Sequence, residues 1–128
     1  MFAKNNRRKL ARYGVGSLYV GLHRTMLFGF FSSQVDVTAI DFNATGLAFR
    51  HARLLSPGQP VILDLLKDQL MASSVVGIVR YTTRMENHFR CGVAFDFEAN
   101  DHMRSSQLKD TLKAMERVLH EVVILAID

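Results

Sequence analysis

Two short stretches hold the side chains best suited to chemistry. The first, "KNNRRKLAR" at 4–12, places Lys4, Arg7, Arg8, Lys9 and Arg12 close together. A guanidinium is a rigid planar fork that can grip a phosphate with paired hydrogen bonds or stack on a flat ring, whereas an ammonium is only a compact point charge. The second stretch, "DFNATG" at 41–46, sets Asp41 and Asn43 at the same parity. In an extended chain they point the same way, and Gly46 permits a tight reversal beside them. Anion binding next to a small polar recognition surface is the chemistry these residues suggest.

Catalytic and metal chemistry find less support. His23, His51, His88, His102 and His120 are scattered, with no pair spaced to share one helix or strand face, so they read as surface or satisfied histidines. Asp64 and Asp68 in "DLLKD", and Asp96, Glu98 and Asp101 in "DFEAND", read as a solvated face, with Asp96 and Glu98 on the outward side of a strand. General acid–base work needs two carboxylates facing one pocket, which spacing does not show here. Cys91 shares a parity with Phe89 and Val93 and reads as a small core residue rather than a nucleophile. There is no phosphate-binding loop, dinucleotide fingerprint or serine elbow, and "NAT" at 43–45 is a chance match to a glycosylation sequon. The chain reads as a binding module, not an enzyme, with no metal and no cofactor.

Stepping outward, 128 residues of ordinary globular composition suit one core. The formal net charge of +4 is unevenly placed: five of the 16 lysines and arginines lie in the first 12 residues, leaving 11 against 12 acids in the remainder. This is a near-neutral domain with a cationic arm. A duplex-binding protein more often spreads its cations over a broad face, so nucleic acid ranks low as a partner. One cysteine excludes an internal disulfide and fits a reducing setting. "YGVGSLYVGL" and the Arg7-Arg8 pair could pass for an export signal, but His23, Arg24 and three glycines interrupt it, and no apolar run approaches the ~20 residues of a membrane span. A cytoplasmic protein with no membrane partner is expected.

The elements that must position these residues are mostly strands. Leu18, Val20 and Leu22 alternate with other residues, as do Val35, Val37 and Ala39. Val61, Leu63 and Leu65 follow the turn signal "SPGQP", and Val75, Gly77, Val79 and Tyr81 share one face. "FRCGVAFDFE" alternates most regularly, with Phe89, Cys91, Val93, Phe95 and Phe97 inward, and "MENH" before it reads as a hairpin connection. "MLFGFF" at 26–31 is short enough for a buried strand. After Ala99 the period becomes helical: Leu108, Leu112, Met115, Leu119, Val122 and Ala126 form a stripe, with Ser105 or Ser106 as N-cap. Such a stripe docks a helix on its own domain or forms an oligomerisation seam. Six or so strands and a terminal helix suggest a small antiparallel barrel or sandwich with a helix packed on it.

The pattern resembles the PilZ domain, a bacterial receptor module for the second messenger cyclic di-GMP. Arg8 and Arg12 in "RRKLAR" fit R-x-x-x-R, and after 28 intervening residues "DFNATG" is a near match to [D/N]-x-S-x-x-G. "GLAF", "SPGQPVILDL" and "VVGIVRY…FRCGVAFDF" are similar to the family as well, so the resemblance spans roughly residues 7 to 98. It implies a six-stranded antiparallel β-barrel with a C-terminal helix, a ligand on the barrel's outer surface, and an N-terminal arm that folds over it. On that basis residues 1–14 are a flexible basic arm, 15–99 the barrel, and 100–128 a helix packed on the barrel or used for oligomerisation.

By the same resemblance the ligand site comprises Arg7, Arg8, Arg12, Asp41, Asn43 and Gly46, the arginines clamping guanines and phosphates and the other three forming the opposing wall. Arginine can pair with guanine O6 and N7, and the Asp41 carboxylate can accept from guanine's amino and imino hydrogens. Asn43 departs from the family's usual serine, replacing a compact hydroxyl by a larger amide. A stand-alone module also needs a protein partner, as monomer or homodimer, with motility or biofilm control the setting the family implies. Other readings are a protein-interaction adaptor of the same fold that binds no nucleotide and a small nucleic-acid-binding barrel. The inward parity of Phe89, Phe95 and Phe97 argues against the latter, which needs exposed rings for stacking.

Overall fold

Alternating apolar residues become strands because one face of each can then be buried, and the computed structural model has six among its described residues. It describes residues 17–25 and 32–127, without the side chains of 24, 25, 32, 33 and 122–127. Arg7, Arg8 and Arg12, and the "MLFGFF" strand expected at 26–31, lie outside the described residues. The strands are β1 (Tyr19–Thr25), β2 (Ser32–Asn43), β3 (Gly46–His51), β4 (Pro60–Lys67), β5 (Leu70–Arg84) and β6 (Phe89–Phe95). All neighbours are antiparallel, and the order β1-β2-β3-β6-β5-β4 closes through pairing of β1 with β4. Closure removes the sheet edges that would otherwise carry unpaired backbone groups.

The core is built from the expected faces. Val20, Phe49, Leu63, Leu65, Val75, Val79 and Cys91 are essentially inaccessible inside the barrel. Two helices follow, α1 (Asp101–Arg104) and α2 (Ser106–Ile127). Asn100 caps α1 by accepting from the Met103 N–H at 2.8 Å, and Ser105 caps α2 by accepting from Leu108 N–H at 3.2 Å. Leu108, Leu112, Met115 and Leu119 are buried in the same core as the barrel, and α2 lies against β5 and β2. No described helix is long and apolar enough to cross a membrane.

Three β-bulges break the alternation, and two of them decide where polar residues point. On strict parity with Val35, Val37 and Ala39, Asp41 and Asn43 would face inward. Between Ala39 and Asp41, however, the partners on β3 advance only from Phe49 to Ala48, so Ile40 is an extra residue. A bulge of this kind reverses the facing of everything after it. Phe42 is thereby buried, and Asp41 and Asn43 are exposed. On β5, Arg80 is the extra residue between Val79 and Tyr81, opposite Val93 and Gly92 of β6. Tyr81, expected on the inward face, is turned outward and is 42% exposed. A third irregularity lies between Leu63 and Leu65, opposite Ser73 and Ser74.

Candidate functional site

The two bulges deliver their residues to the same outer face. In the observed register Asp41 pairs with Ala48, Ala48 with Gly92, and Gly92 with Tyr81, one continuous row across β2, β3, β6 and β5. The adjoining row runs Asn43, Gly46, Ala94 and Ile78. Strands lie about 4.8 Å apart, so Asp41 and Tyr81 face each other across roughly 14 Å. The floor between them is made of Gly46, Ala48, Gly92 and Ala94. The result is a shallow, open depression of about 260 Å³, lined by those residues together with Asp41, Asn43, Thr45, Arg80 and Tyr81.

Local chemistry explains each part. The reversal is made by Ala44 and Thr45, and Asn43 organises it: its Oδ1 accepts from Thr45 N–H at 2.9 Å and from Thr45 Oγ1–H at 2.8 Å. The Thr45 amide is a donor, which fixes the amide of Asn43 with oxygen toward the turn and leaves its NH₂ for other contacts. Ala44 N–H donates to Glu116 Oε1 at 2.6 Å, tying the hairpin tip to α2. Thr45 O accepts from Phe95 N–H at 2.9 Å.

Gly46 serves close approach rather than reversal. A Cβ there would lie 2.6 Å from the backbone oxygen of Val93. At Gly92 a Cβ would fall 2.0 to 2.6 Å from three carbons of the Tyr81 ring, so the ring lies directly over bare backbone. Arg90 Nε donates to Tyr81 Oη at 3.4 Å, a long bond at the rim.

Asp41, Asn43 and Gly46 therefore come together as expected from sequence, while the three arginines of the arm lie outside the described residues. Thr45, Arg80, Tyr81 and Gly92 were missed. An apolar residue followed by Arg-Tyr in a long strand gives no parity signal for a bulge, so Tyr81 counted as core.

Some of the carboxylates read as a solvated face instead hold local structure. Asp64 Oδ2 accepts from Gln34 Nε2 at 2.6 Å and lies 2.8 Å from His23 Nε2, and its Oδ1 accepts from Ser74 N–H at 2.8 Å. Partial burial pushes its pKa up, but the Ser74 amide, His23 and Gln34 outweigh this and leave it lowered. Its role is to satisfy the bulged Ser74, whose φ of 53° is left-handed. Asp96 is not on a strand: β6 ends at Phe95, and Asp96 Oδ1 accepts from Glu98 N–H at 3.1 Å in the following turn. His102 Nε2 lies 2.7 Å from Ser73 O. Burial raises the pKa of the Cys91 thiol, which disfavours the thiolate. Among the described residues no three His, Cys, Asp or Glu side chains converge on a metal site.

No protein-family model and no curated protein matches the sequence. Among solved structures the chain is similar to the PilZ domain with c-di-GMP of YcgR from Escherichia coli. That likeness has a TM-score of 0.61 at 13% identity and covers 87% of this chain and 88% of that one. At this identity what is shown is the fold: a PilZ-like barrel of six antiparallel strands with a C-terminal helix.

Proposed function

We propose that this chain is a cyclic di-GMP receptor that passes the signal to a protein partner by ordering its N-terminal arginine arm over the outer face of the barrel. The carrying observation is the row from Asp41 to Tyr81: a carboxylate at one end, an aromatic ring at the other, and a floor of Gly and Ala between. A purine is flat, and Gly46, Ala48 and Ala94, which carry no large side chain, let its face lie against backbone beside the Tyr81 ring that covers Gly92. Asp41 accepts from guanine's amino and imino hydrogens, the NH₂ of Asn43 donates to carbonyl or phosphate oxygen, and Tyr81 offers a stacking surface. The likeness in fold to a domain described with c-di-GMP supports the same reading.

The exit of the arm supports it too. Tyr19 pairs with Thr38 in an antiparallel register, so the chain before Tyr19 runs toward Ile40 and Asp41. Ser17 itself is tied to the end of β4, where Lys67 Nζ donates to Ser17 Oγ at 2.8 Å. Arg12 and Arg8 stand five and nine residues before Ser17, and an extended chain spans about 3.3–3.6 Å per residue. The depression is therefore within reach of both, with Arg7 assisting. In this reading the chain is not an enzyme, uses no metal or cofactor, and acts in the cytoplasm, as monomer or homodimer, through a protein rather than nucleic acid or membrane. Motility or biofilm control is the setting the reading implies.

Isothermal titration calorimetry tests it, with cyclic di-GMP as ligand and GTP and cyclic di-AMP as controls. Selective binding on the order of micromolar or tighter, lost in Arg8→Ala/Arg12→Ala, is expected. No binding at high concentration refutes the proposal and leaves the nucleotide-independent adaptor.

A further inference from the structure

One register step from the row just described, the same outer face carries an uncompensated charge pair. Arg50 of β3 stands directly opposite Arg90 of β6, with Thr38 of β2 opposite Arg50 and Thr83 of β5 opposite Arg90. Both arginines point outward, since their neighbours Phe49 and Cys91 are wholly buried. Like charges directly opposite in a sheet are destabilising. Neither guanidinium has a carboxylate within ion-pair distance among the described residues, and the ion pairs found there involve other groups. Asp36 and Asp41 flank Thr38 along β2, yet Asp36 accepts from Tyr19 Oη–H at 2.9 Å and neither reaches the arginines. Arg50 makes no side-chain hydrogen bond to a described residue, and Arg90 makes only the long one to Tyr81.

Exposed arginines are common, but these two share a concavity. A hollow of about 330 Å³ is lined by Arg50 and Arg90 together with Thr38, Met85 and His88. Two guanidiniums and a hydroxyl around one hollow form a donor set for a phosphoryl group, while the His88 imidazole beside them has its Nδ1 3.0 Å from Asn87 Oδ1. The hollow adjoins the proposed nucleotide face: Arg50 is two residues from Ala48 and Arg90 two from Gly92, about 7 Å along each strand. A purine over Ala48, beside the Tyr81 ring that covers Gly92, thus lies within one nucleotide's length of both guanidiniums, and the Arg90–Tyr81 hydrogen bond spans the two.

We propose that Arg50 and Arg90 form a phosphate-binding subsite on the barrel, which takes a phosphate of the nucleotide lying on the Asp41–Tyr81 row and is separate from the arginines of the arm. This rests on the nucleotide reading for the identity of its ligand, but not for its preference for phosphate. The test uses the full chain and Arg50→Gln/Arg90→Gln, whose ligand-free melting temperature is expected to equal or exceed that of the parent because repulsion is relieved. Cyclic di-GMP affinity is measured across a range of salt, and inorganic pyrophosphate is titrated while the arginine Nε–H resonances are followed by NMR. Expected are a 10- to 100-fold loss of cyclic di-GMP affinity with a shallower salt dependence, and saturable pyrophosphate shifts of two Nε–H resonances in the parent, identified as those of Arg50 and Arg90 by their absence from the spectrum of the double variant. Parent-like affinity and salt slope in the double variant overturn the subsite. If the parent itself ignores cyclic di-GMP, the nucleotide reading fails alone: saturable pyrophosphate shifts then still establish the subsite, and their absence overturns it.

Discussion

Alanine at Gly46 and alanine at Gly92 remove the same kind of residue from neighbouring rows of the same sheet, yet they should behave differently. At Gly46 the new methyl meets the Val93 carbonyl oxygen at 2.6 Å. That atom is backbone in β6, and no rotamer change can move it. β3 must shift against β6, an overpacking cost of about 1–3 kcal/mol, offset by the ~0.4–1 kcal/mol that Ala gains over Gly by restricting the unfolded chain. The net loss should be about 1–2 kcal/mol. At Gly92 the obstacle is the Tyr81 ring, at 2.0 Å, but that ring is 42% exposed and can swing into solvent. Its lost contact, about 0.5–1.5 kcal/mol, is largely cancelled by the same gain from Ala. Urea unfolding followed by far-ultraviolet circular dichroism measures both. At roughly 3–6 °C per kcal/mol for a chain of this size, Gly46→Ala should melt visibly lower and Gly92→Ala within a few degrees of the parent, with its tyrosine fluorescence changed. Equal stability of Gly46→Ala and the parent, or greater damage from Gly92→Ala, would refute the distinction between backbone and side-chain obstruction.

Three further substitutions follow from other contacts. The depressed pKa of Asp64 means that its contribution is present above the ordinary carboxylate range and lost as pH falls below about 4. Asp64→Asn should therefore flatten the fall in stability between pH 5 and 3, measured by urea titration at each pH, and parallel curves for the two proteins would contradict this. Buried Met103 accepts from Val76 N–H through its Sδ at 3.2 Å. Met103→Leu keeps the volume but leaves that amide unsatisfied, so a loss of about 1–3 kcal/mol is expected in the same assay. Glu116→Ala removes the acceptor of Ala44 N–H on an exposed hairpin. Global stability should change by about 1 kcal/mol or less, while hydrogen exchange at Ala44 should accelerate; unchanged exchange there would count against the tie.

The extent to which all this was readable in the sequence depends on where alternation holds. Val61, Leu63 and Leu65, or Cys91, Val93 and Phe95, lie in strands whose faces do not switch, and their burial follows parity. The stripe from Leu108 to Leu119 obeyed the helical period for the same reason. Ile40 and Arg80 are the exceptions. Each is an inserted residue that no periodicity reveals, because a bulge is defined by its partner strand. Asp41 and Asn43 are singled out by their motif and are exposed, although strict parity would bury them, whereas Tyr81, without a motif, reads as core and is turned outward. Gly46 was noticed for the wrong cause: the carbonyl that forbids a side chain there belongs to β6, some 47 residues away in sequence. The Arg50–Arg90 pair was invisible for the same reason, since only the β3–β6 register brings the two together.

The pairing of Tyr19–Leu22 with Leu63–Leu66 that shuts the cylinder has a consequence for how the molecule can communicate. A protein with a free strand can recruit a companion through its main chain alone, almost regardless of sequence. Among the described residues no strand is free along its whole length, which narrows that route to short stretches such as residues 32–37, paired on one side alone. A partner that docks on the described residues then reads chiefly side chains, on the outer wall or along the solvent side of α2, where Lys113, Glu116, Arg117, His120 and Glu121 are exposed. Its acquaintances can then be changed by surface substitution while the architecture stays intact, and accidental fibre formation by strand addition is disfavoured by the same closure.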